Sequence, residues 1–92
     1  MKQLSDLKNI GKATLEYLHL LNIHTVEELS TKDPTVLFHS LERCKQTRVD
    51  PCMWDLFAAI IHEASGGKPT AWWEWTPQRK TLLKKGLFNH AI

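Results

Sequence analysis

One short turn sequence occurs twice within the first 25 residues, and it limits the fold more than any other feature of the chain. The segment LKNIG at residues 7–11 is echoed thirteen residues later by LLNIH at residues 20–24. Each copy is followed by a run whose apolar residues recur at helical spacing. The two copies, called here the Asn9 turn and the Asn22 turn, predict three short helices joined by two tight turns.

Capping signals predict further helices. Thr25 and Glu28 match a capping box, and three dipeptides place an N-cap residue before a proline suited to the first helical position: Asp33-Pro34, Asp50-Pro51 and Thr76-Pro77. No segment alternates apolar and polar residues for long enough to predict a strand. We therefore predict an all-α fold, a compact bundle of five or six short helices at about residues 3–8, 12–21, 25–31, 34–43, 51–64 and 77–85.

Ninety-two residues are enough for one hydrophobic core and predict a single domain, 1–92. Within it, residues 1–31 hold the two turns, residues 34–64 the core helices, and residues 68–92 a tryptophan-rich closure followed by a basic helix. The main core is expected on one apolar stripe of the 51–64 helix, formed by Met53, Leu56, Phe57, Ile60, Ile61 and Ala64.

The Asn9 turn has the chemistry of a phosphate site. A tight turn into a helix start leaves backbone N–H groups unpaired, and the helix dipole adds positive partial charge there. Gly11 lets an anion approach these amides, and we expect its missing Cβ to help the turn form as well. Lys8 and Lys12 supply ordinary charge beside them.

This segment, with Ala13 as a small residue in the following helix, resembles the helix-hairpin-helix motif, whose family binds DNA without sequence specificity through hairpin amides. The resemblance implies tandem helix-hairpin-helix (SAM-like) elements. By motif position, it implies a DNA-phosphate site at Lys8, Asn9, Ile10, Gly11 and Lys12. Asn9 replaces the usual first glycine, and asparagine tolerates positive φ. The Asn22 turn lacks glycine, so it is predicted to be structural, with His24 a weaker phosphate contact.

A second resemblance covers residues 4–80. The segments RVDPCMWDLFAAIIHEA and WWEW resemble small bacterial helix-hairpin-helix proteins called pathogenicity-locus or mitomycin-resistance proteins. Their names imply a link to DNA damage, drug resistance or virulence, and they carry over no biochemical activity.

Positive charge is concentrated at the two ends of the chain. The net charge is +2, yet residues 26–75 carry five basic and eight acidic groups, a net of −3, whereas residues 76–92 carry four basic groups and no acid. Those four residues are predicted secondary DNA contacts: Arg79, Lys80, Lys84 and Lys85. A solvated helix face is the equally weighted alternative.

Cysteine usage predicts a cytoplasmic protein with free thiols, because Cys44 and Cys52 occur without an export signal. We expect both to be small buried residues. The alternative is a reactive Cys52 whose pKa is lowered by a helix start.

His39 and His62 complete no metal-ligand pattern, so neither a metal nor another cofactor is predicted. The longest apolar run is too short to span a membrane.

Four tryptophans, Trp54, Trp72, Trp73 and Trp75, are dense for so short a chain. One interpretation is a stacking platform for unpaired bases. We favour the other, in which the tryptophans close the core over the long apolar helix and at most one ring is exposed to solvent.

Taken together, the residues predict sequence-independent DNA binding and no enzyme activity. There is no nucleophile motif or NTPase loop, and the adjacent His62 and Glu63 are interpreted as a helix-surface pair. The alternative is a protein-interaction module of the same fold. Salt separates the two, because phosphate binding weakens steeply as the salt concentration rises.

Overall fold

The computed structural model describes residues 2–86 and 88–90. These residues form five α-helices and two short 3₁₀-helices, with no β-strand among them. The α-helices are α1 (Lys12–Leu20), α2 (Val26–Ser30), α3 (Pro34–Lys45), α4 (Cys52–Ala64) and α5 (Thr76–Lys84). The all-α prediction is confirmed. The predicted domain of residues 1–92 also includes residues 1, 87, 91 and 92, which lie outside the described residues.

Two segments depart from the predicted helices. The helix predicted at residues 3–8 is only a 3₁₀-helix, Leu4–Asp6, closed where the Asp6 carboxylate accepts the Gln3 amide at 2.8 Å. Trp72–Trp75, called here the tryptophan turn, is a second 3₁₀-helix that the sequence did not predict. In this turn, the Glu74 carboxylate accepts a hydrogen bond from the Ala71 amide at 2.7 Å. Both segments are too short for the periodicity that identifies an α-helix.

The capping signals are mostly confirmed. Thr25 Oγ1 accepts the Glu28 amide at 3.1 Å, and Asp33 Oδ1 accepts the amides of the first turn of α3 at 2.8 and 3.2 Å. Asp50 Oδ1 accepts the Cys52 amide at 2.9 Å, but α4 begins one residue later than predicted, with Pro51 at its N-cap position instead of Asp50. Thr76 departs as well, because its hydroxyl donates to Asp55 at 2.7 Å instead of capping α5.

The long apolar helix α4 lies at the centre of the molecule. It packs against α2, α3, α5 and the tryptophan turn. Phe57, Ile60 and Ile61 are buried as predicted, whereas Met53 and Leu56 are only half-buried. Ala64 is also half-buried. The single-stripe prediction was therefore too narrow: Trp54 and the two alanines Ala58 and Ala59 are buried too, because neighbours cover α4 on several sides.

A buried carboxylate joins α5 to α4. Asp55 is fully buried, and its two oxygens accept hydrogen bonds from the Thr76 hydroxyl at 2.7 Å and from Arg79 Nε at 2.8 Å. The Arg79 side chain is 13% exposed. Buried ions need such partners, so this charge is used inside the molecule.

Another buried acid holds the end of the chain against α3. Glu42 Oε2 accepts the Val49 amide at 2.8 Å and lies 2.5 Å from His90 Nδ1. Two residues earlier, Phe88 is buried with its ring centroid 5.0 Å from that of Phe38.

Across the ranges that the structure describes, no helix combines the length and apolar character that a membrane span requires.

Candidate nucleic-acid interface

The Asn9 turn directs the chain into α1. Asn9 adopts φ 73°, the left-handed conformation that asparagine tolerates. The turn is closed by the Ile10 amide, which donates to the Leu7 carbonyl at 3.3 Å, and Leu7 itself is buried in the core. The expectation that asparagine tolerates the positive φ of this turn is confirmed.

Two long-range hydrogen bonds fix the Asn9 turn to the rest of the molecule. The Lys8 amide donates to Glu63 Oε1 at 2.9 Å, and Asn9 Nδ2 donates to the Thr70 carbonyl at 2.7 Å. Lys2 Nζ adds an ion pair with Glu63 at 3.9 Å. The turn therefore has a defined position relative to α4 and to the loop before the tryptophan turn.

Glu63 is a residue that the sequence interpretation missed. It was interpreted as one half of a helix-surface pair with His62, but its side chain is 4% exposed and lies beneath the Asn9 turn. A signal was present in the sequence. Glu63 stands seven residues after Leu56 and three after Ile60, so it falls on the apolar side of its helix, where an acid needs a partner.

The start of α1 is open. Gly11 is its N-cap residue, and no described side chain accepts a hydrogen bond from its first amides. A Cβ added at Gly11 would meet nothing within 4 Å, so an anion can approach the amides of Gly11 and Lys12. No acidic residue lies in this first helical turn, and both Lys8 and Lys12 are exposed.

The conformational role predicted for Gly11 is wrong. Its φ of −97° and ψ of −171° are extended backbone that any residue adopts. The residue that needs the unusual conformation is Asn9, two positions earlier. Gly11 is thus distinguished only by the space that its missing Cβ leaves in front of the amides.

The Asn22 turn shares the left-handed asparagine of the Asn9 turn but not its open helix start. Asn22 has φ 64°, and the buried Ile23 donates its amide to the Leu18 carbonyl at 2.8 Å. The five-residue α2 that follows is capped by Thr25, and Glu28 Oε1 accepts the His24 amide at 3.0 Å.

The start of α2 carries negative charge, because Glu27 and Glu28 lie in its first turn. The hydrogen bond from the His24 amide is the main reason that the pKa of Glu28 lies below its ordinary value, so the carboxylate stays charged. The His24 ring lies beside His19, with centroids 5.1 Å apart, and its Nε2 is 3.1 Å from Asn22 Oδ1. The weaker phosphate role of His24 stays a prediction.

The predicted basic contacts near the end of the chain separate into two groups. Lys80, Lys84 and Lys85 are exposed around α5. Arg79 is held against Asp55 and presents little of its side chain to solvent. The structure therefore leaves three lysines available at this end of the molecule and gives Arg79 a role in joining helices.

Closure of the core, the role favoured from the sequence, applies to two of the four tryptophans. Trp54 is buried and donates Nε1 to Thr35 Oγ1 at 2.9 Å, and Trp75 packs on the core and donates Nε1 to Thr70 Oγ1 at 2.8 Å. Trp73 is different, because 62% of its surface is exposed. The neighbouring Trp72 is half-buried.

The two cysteines are free but not buried together. Cys44 is exposed and Cys52 is half-buried, so the prediction of two small core residues is wrong. Burial raises the pKa of the Cys52 thiol, and the hydrogen bond and charge of Asp50 raise it further. These effects outweigh that of the helix start, which was expected to lower this pKa.

Among the described residues, no cluster of three or more His, Cys, Asp or Glu could hold a metal ion.

Comparison with known proteins gives the chain its family. The family model described as pathogenicity locus (Cdd1) matches residues 1–81, which include the Asn9 turn, α4 and the tryptophan turn. The chain belongs to the pathogenicity locus family. This Cdd1-family chain is 31% identical over 80 residues to a Streptomyces lavendulae protein named mitomycin resistance protein McrB. The alignment covers 87% of the chain and 76% of the relative. No solved structure matches it significantly.

The second resemblance drawn from the sequence is thereby confirmed at the level of the family. From two segments of the sequence we expected a resemblance to pathogenicity-locus or mitomycin-resistance proteins. The matching family model carries the first description, and the Streptomyces relative carries the second in its name. The helix-hairpin-helix assignment stays a prediction.

Proposed function

We propose that the protein binds DNA independently of sequence, through the backbone amides at the start of α1, and that its two turns form tandem helix-hairpin-helix elements. The observation that carries the proposal is the uncapped, acid-free helix start behind the Asn9 turn, with exposed Lys8 and Lys12 on either side. Unpaired amides, the helix dipole and two cations together favour a phosphate at this position.

The fixed position of the turn supports the same proposal. Glu63 and the Thr70 carbonyl hold Lys8 and Asn9 from two sides, so the amides of Gly11 and Lys12 need no rearrangement before a phosphate binds. Glu63 uses its carboxylate on the Lys8 amide and on Lys2, which limits its repulsion of an incoming anion. Contacts of this kind position a protein on the DNA backbone and carry no sequence information.

Secondary contacts complete the proposed binding surface. We assign them to Lys80 and Lys84 on α5 and Lys85 directly after it, with His24 as a weaker contact, and we leave Arg79 out because Asp55 engages it. In this proposal the protein is a cytoplasmic binding protein rather than an enzyme, and it needs no cofactor.

The name of the Streptomyces relative supplies a biological context. We propose that DNA binding by this chain contributes to resistance against DNA damage, with mitomycin as the drug to test first. Bacteria that express the wild-type chain should survive mitomycin better than bacteria that express a folded variant unable to bind DNA. Equal survival would separate the DNA binding from drug resistance.

Gly11→Val tests the binding site directly. The new side chain should fill the space in front of the amides without straining the backbone, because φ and ψ at Gly11 suit any residue. Loss of charge-assisted hydrogen bonds to phosphate should weaken binding to a short duplex by about tenfold or more, measured by fluorescence anisotropy at low salt. Lys12→Ala should cost less, because the amides remain in place.

The repeat provides a matched control. His24 occupies the position of Gly11 in the second copy of the turn, so His24→Val places the same side chain at the equivalent position of a helix start that is already capped. It should weaken DNA binding only slightly. If Gly11→Val remains helical and compact and still binds DNA as well as wild type does, the Asn9 turn is not the site. The protein-interaction module then becomes the better proposal.

A further inference from the structure

We propose that Trp73 and the apolar hollow beside its neighbour Trp72 form a site for unpaired nucleobases, so that the preferred ligand of this protein is single-stranded DNA. The inference rests on the proposed function and deepens it by naming the DNA structure. Aromatic rings next to a backbone-binding surface are the means by which proteins hold single strands without reading their sequence.

The ring of Trp73 is available for stacking and is held in place. It is 62% exposed, and the edge-to-face contact with Trp72, with centroids 5.7 Å apart and planes at 84°, limits its orientation. The backbone beneath it is fixed by the bond between Glu74 and the Ala71 amide. A fixed, exposed ring loses little side-chain freedom when a base stacks on it.

The hollow beside Trp72 suits a flat uncharged group. It encloses about 230 Å³ and is lined by Asp50, Cys52, Met53, Leu56 and Trp72. No lysine or arginine lines it, and the acids Asp50 and Glu74 disfavour a phosphate near the tryptophans. An aromatic base fits this chemistry, whereas the phosphates that flank it are better placed on the basic Asn9 turn.

Helix α4 places the hollow and the Asn9 turn along one side of the molecule. Leu56 lines the hollow and Glu63 binds the Lys8 amide. They are seven residues apart, so they point in nearly the same direction about 10 Å apart along the helix axis.

The loop between the two sites is also short. Asn9 Nδ2 contacts the Thr70 carbonyl, and Trp73 follows three residues later, so its Cα lies within about 11 Å of that of Thr70. One strand can therefore reach both sites within a few nucleotides.

Single-stranded and duplex DNA of equal length distinguish this site from the phosphate site. The probes are a fluorescent oligothymidylate of about 15 nucleotides and a blunt duplex of the same length, titrated at low salt. Wild type should favour the single strand. Trp73→Ala should lower the ratio of single-strand to duplex affinity about tenfold, because paired bases are already stacked and gain little from the ring.

Two further variants make the result specific to an aromatic ring. Trp73→Phe should keep most of the single-strand preference, whereas Trp73→Leu, which keeps only apolar surface, should behave like Trp73→Ala. Val36→Ala removes a side chain of similar exposure, 57%, from α3 and should leave the ratio unchanged.

The outcomes separate the two proposals. If DNA binding persists and depends on Gly11, but Trp73→Ala leaves the affinity ratio unaltered, the stacking site is refuted and the phosphate site stands. If the folded wild type binds neither probe at low salt, both proposals fail. The exposed tryptophan would then favour a protein partner.

Discussion

Asn9 combines two functions that would otherwise need separate residues. Its left-handed backbone makes the turn, and its side-chain amide donates to Thr70 and so joins the turn to the loop before the tryptophan turn. A glycine at this position would make the turn equally well but could not make that bond. Asn22 shares the conformation, yet its side chain forms a hydrogen bond with His24, two residues away, and joins no distant element.

Substitution of Asn9 should separate these two contributions. Asn9→Gly keeps the backbone conformation and loses the hydrogen bond, which should lower the free energy of unfolding by about 1 kcal/mol. Asn9→Ala also strains the left-handed backbone, so its total loss should be about 2 kcal/mol. Urea denaturation of both variants measures the difference. Equal stabilities would mean that the positive φ carries no cost here.

The thiol of Cys52 should respond to the charge of Asp50. Burial and Asp50 both raise the pKa of this thiol, so at neutral pH it is protonated and slow to alkylate. Asp50→Asn keeps a side-chain oxygen that can accept the Cys52 amide and removes the negative charge, so this pKa should fall. The thiolate fraction at a given pH should then rise.

The test is the alkylation rate of Cys52 as a function of pH, measured in a Cys44→Ser background so that one thiol reacts. The rate profile of the Asp50→Asn protein should shift to lower pH. A profile that does not move would assign the raised pKa to burial alone.

At the scale of elements, α5 depends on one buried charge pair. Arg79→Ala would leave the carboxylate of Asp55 buried with the Thr76 hydroxyl as its remaining side-chain partner. Breaking a buried pair in this way typically costs about 3–5 kcal/mol of stability. We therefore expect the free energy of unfolding, measured by urea denaturation, to fall by about 3 kcal/mol. Lys80→Ala, at the adjacent exposed position, is the control and should change stability by about 0.5 kcal/mol at most. Similar losses in both variants would mean that the pair contributes little.

The elements that the sequence predicted are those whose signals are local. Caps such as Asp33 act on amides two or three residues away, so their effect can be read from a short segment. The hydrogen-bond partners of Asp55 and Glu63 lie 21 to 55 residues away, and only the packed fold brings them together.

The candidate site divides in the same way. The order of Asn9, Gly11 and Lys12 is visible in the repeated turn sequence, whereas the exposure of Trp73 and the burial of Trp54 depend on how the tryptophan turn packs on α4. The extended backbone of Gly11 was missed because the turn needed one residue with positive φ, and Asn9 supplies it.

At the scale of the whole molecule, the unequal distribution of charge sets the direction from which the proposed DNA ligand would approach. The middle of the chain is acidic, and the Asn22 turn leads into a helix start that carries Glu27 and Glu28. Two groups of exposed lysines lie outside this acidic part: Lys8 and Lys12 beside the Asn9 turn, and Lys80, Lys84 and Lys85 around α5. Electrostatic attraction should therefore orient these two parts of the surface towards the DNA backbone.

Salt dependence tests that orientation. Gln in place of the three exposed lysines at and just after the end of α5 (Lys80, Lys84 and Lys85), called here the α5 variant, should weaken duplex binding. It should also flatten the plot of log affinity against log salt by about 0.9 for each phosphate that the variant no longer neutralises. The control removes three charges from the acidic part of the chain: Lys32→Gln, Arg43→Gln and Lys45→Gln. It changes the net charge by the same amount, so a slope set by net charge alone would change equally in both proteins. If only the α5 variant flattens the slope, these lysines bind phosphates; equal slopes in that variant and in wild type would place α5 away from the DNA.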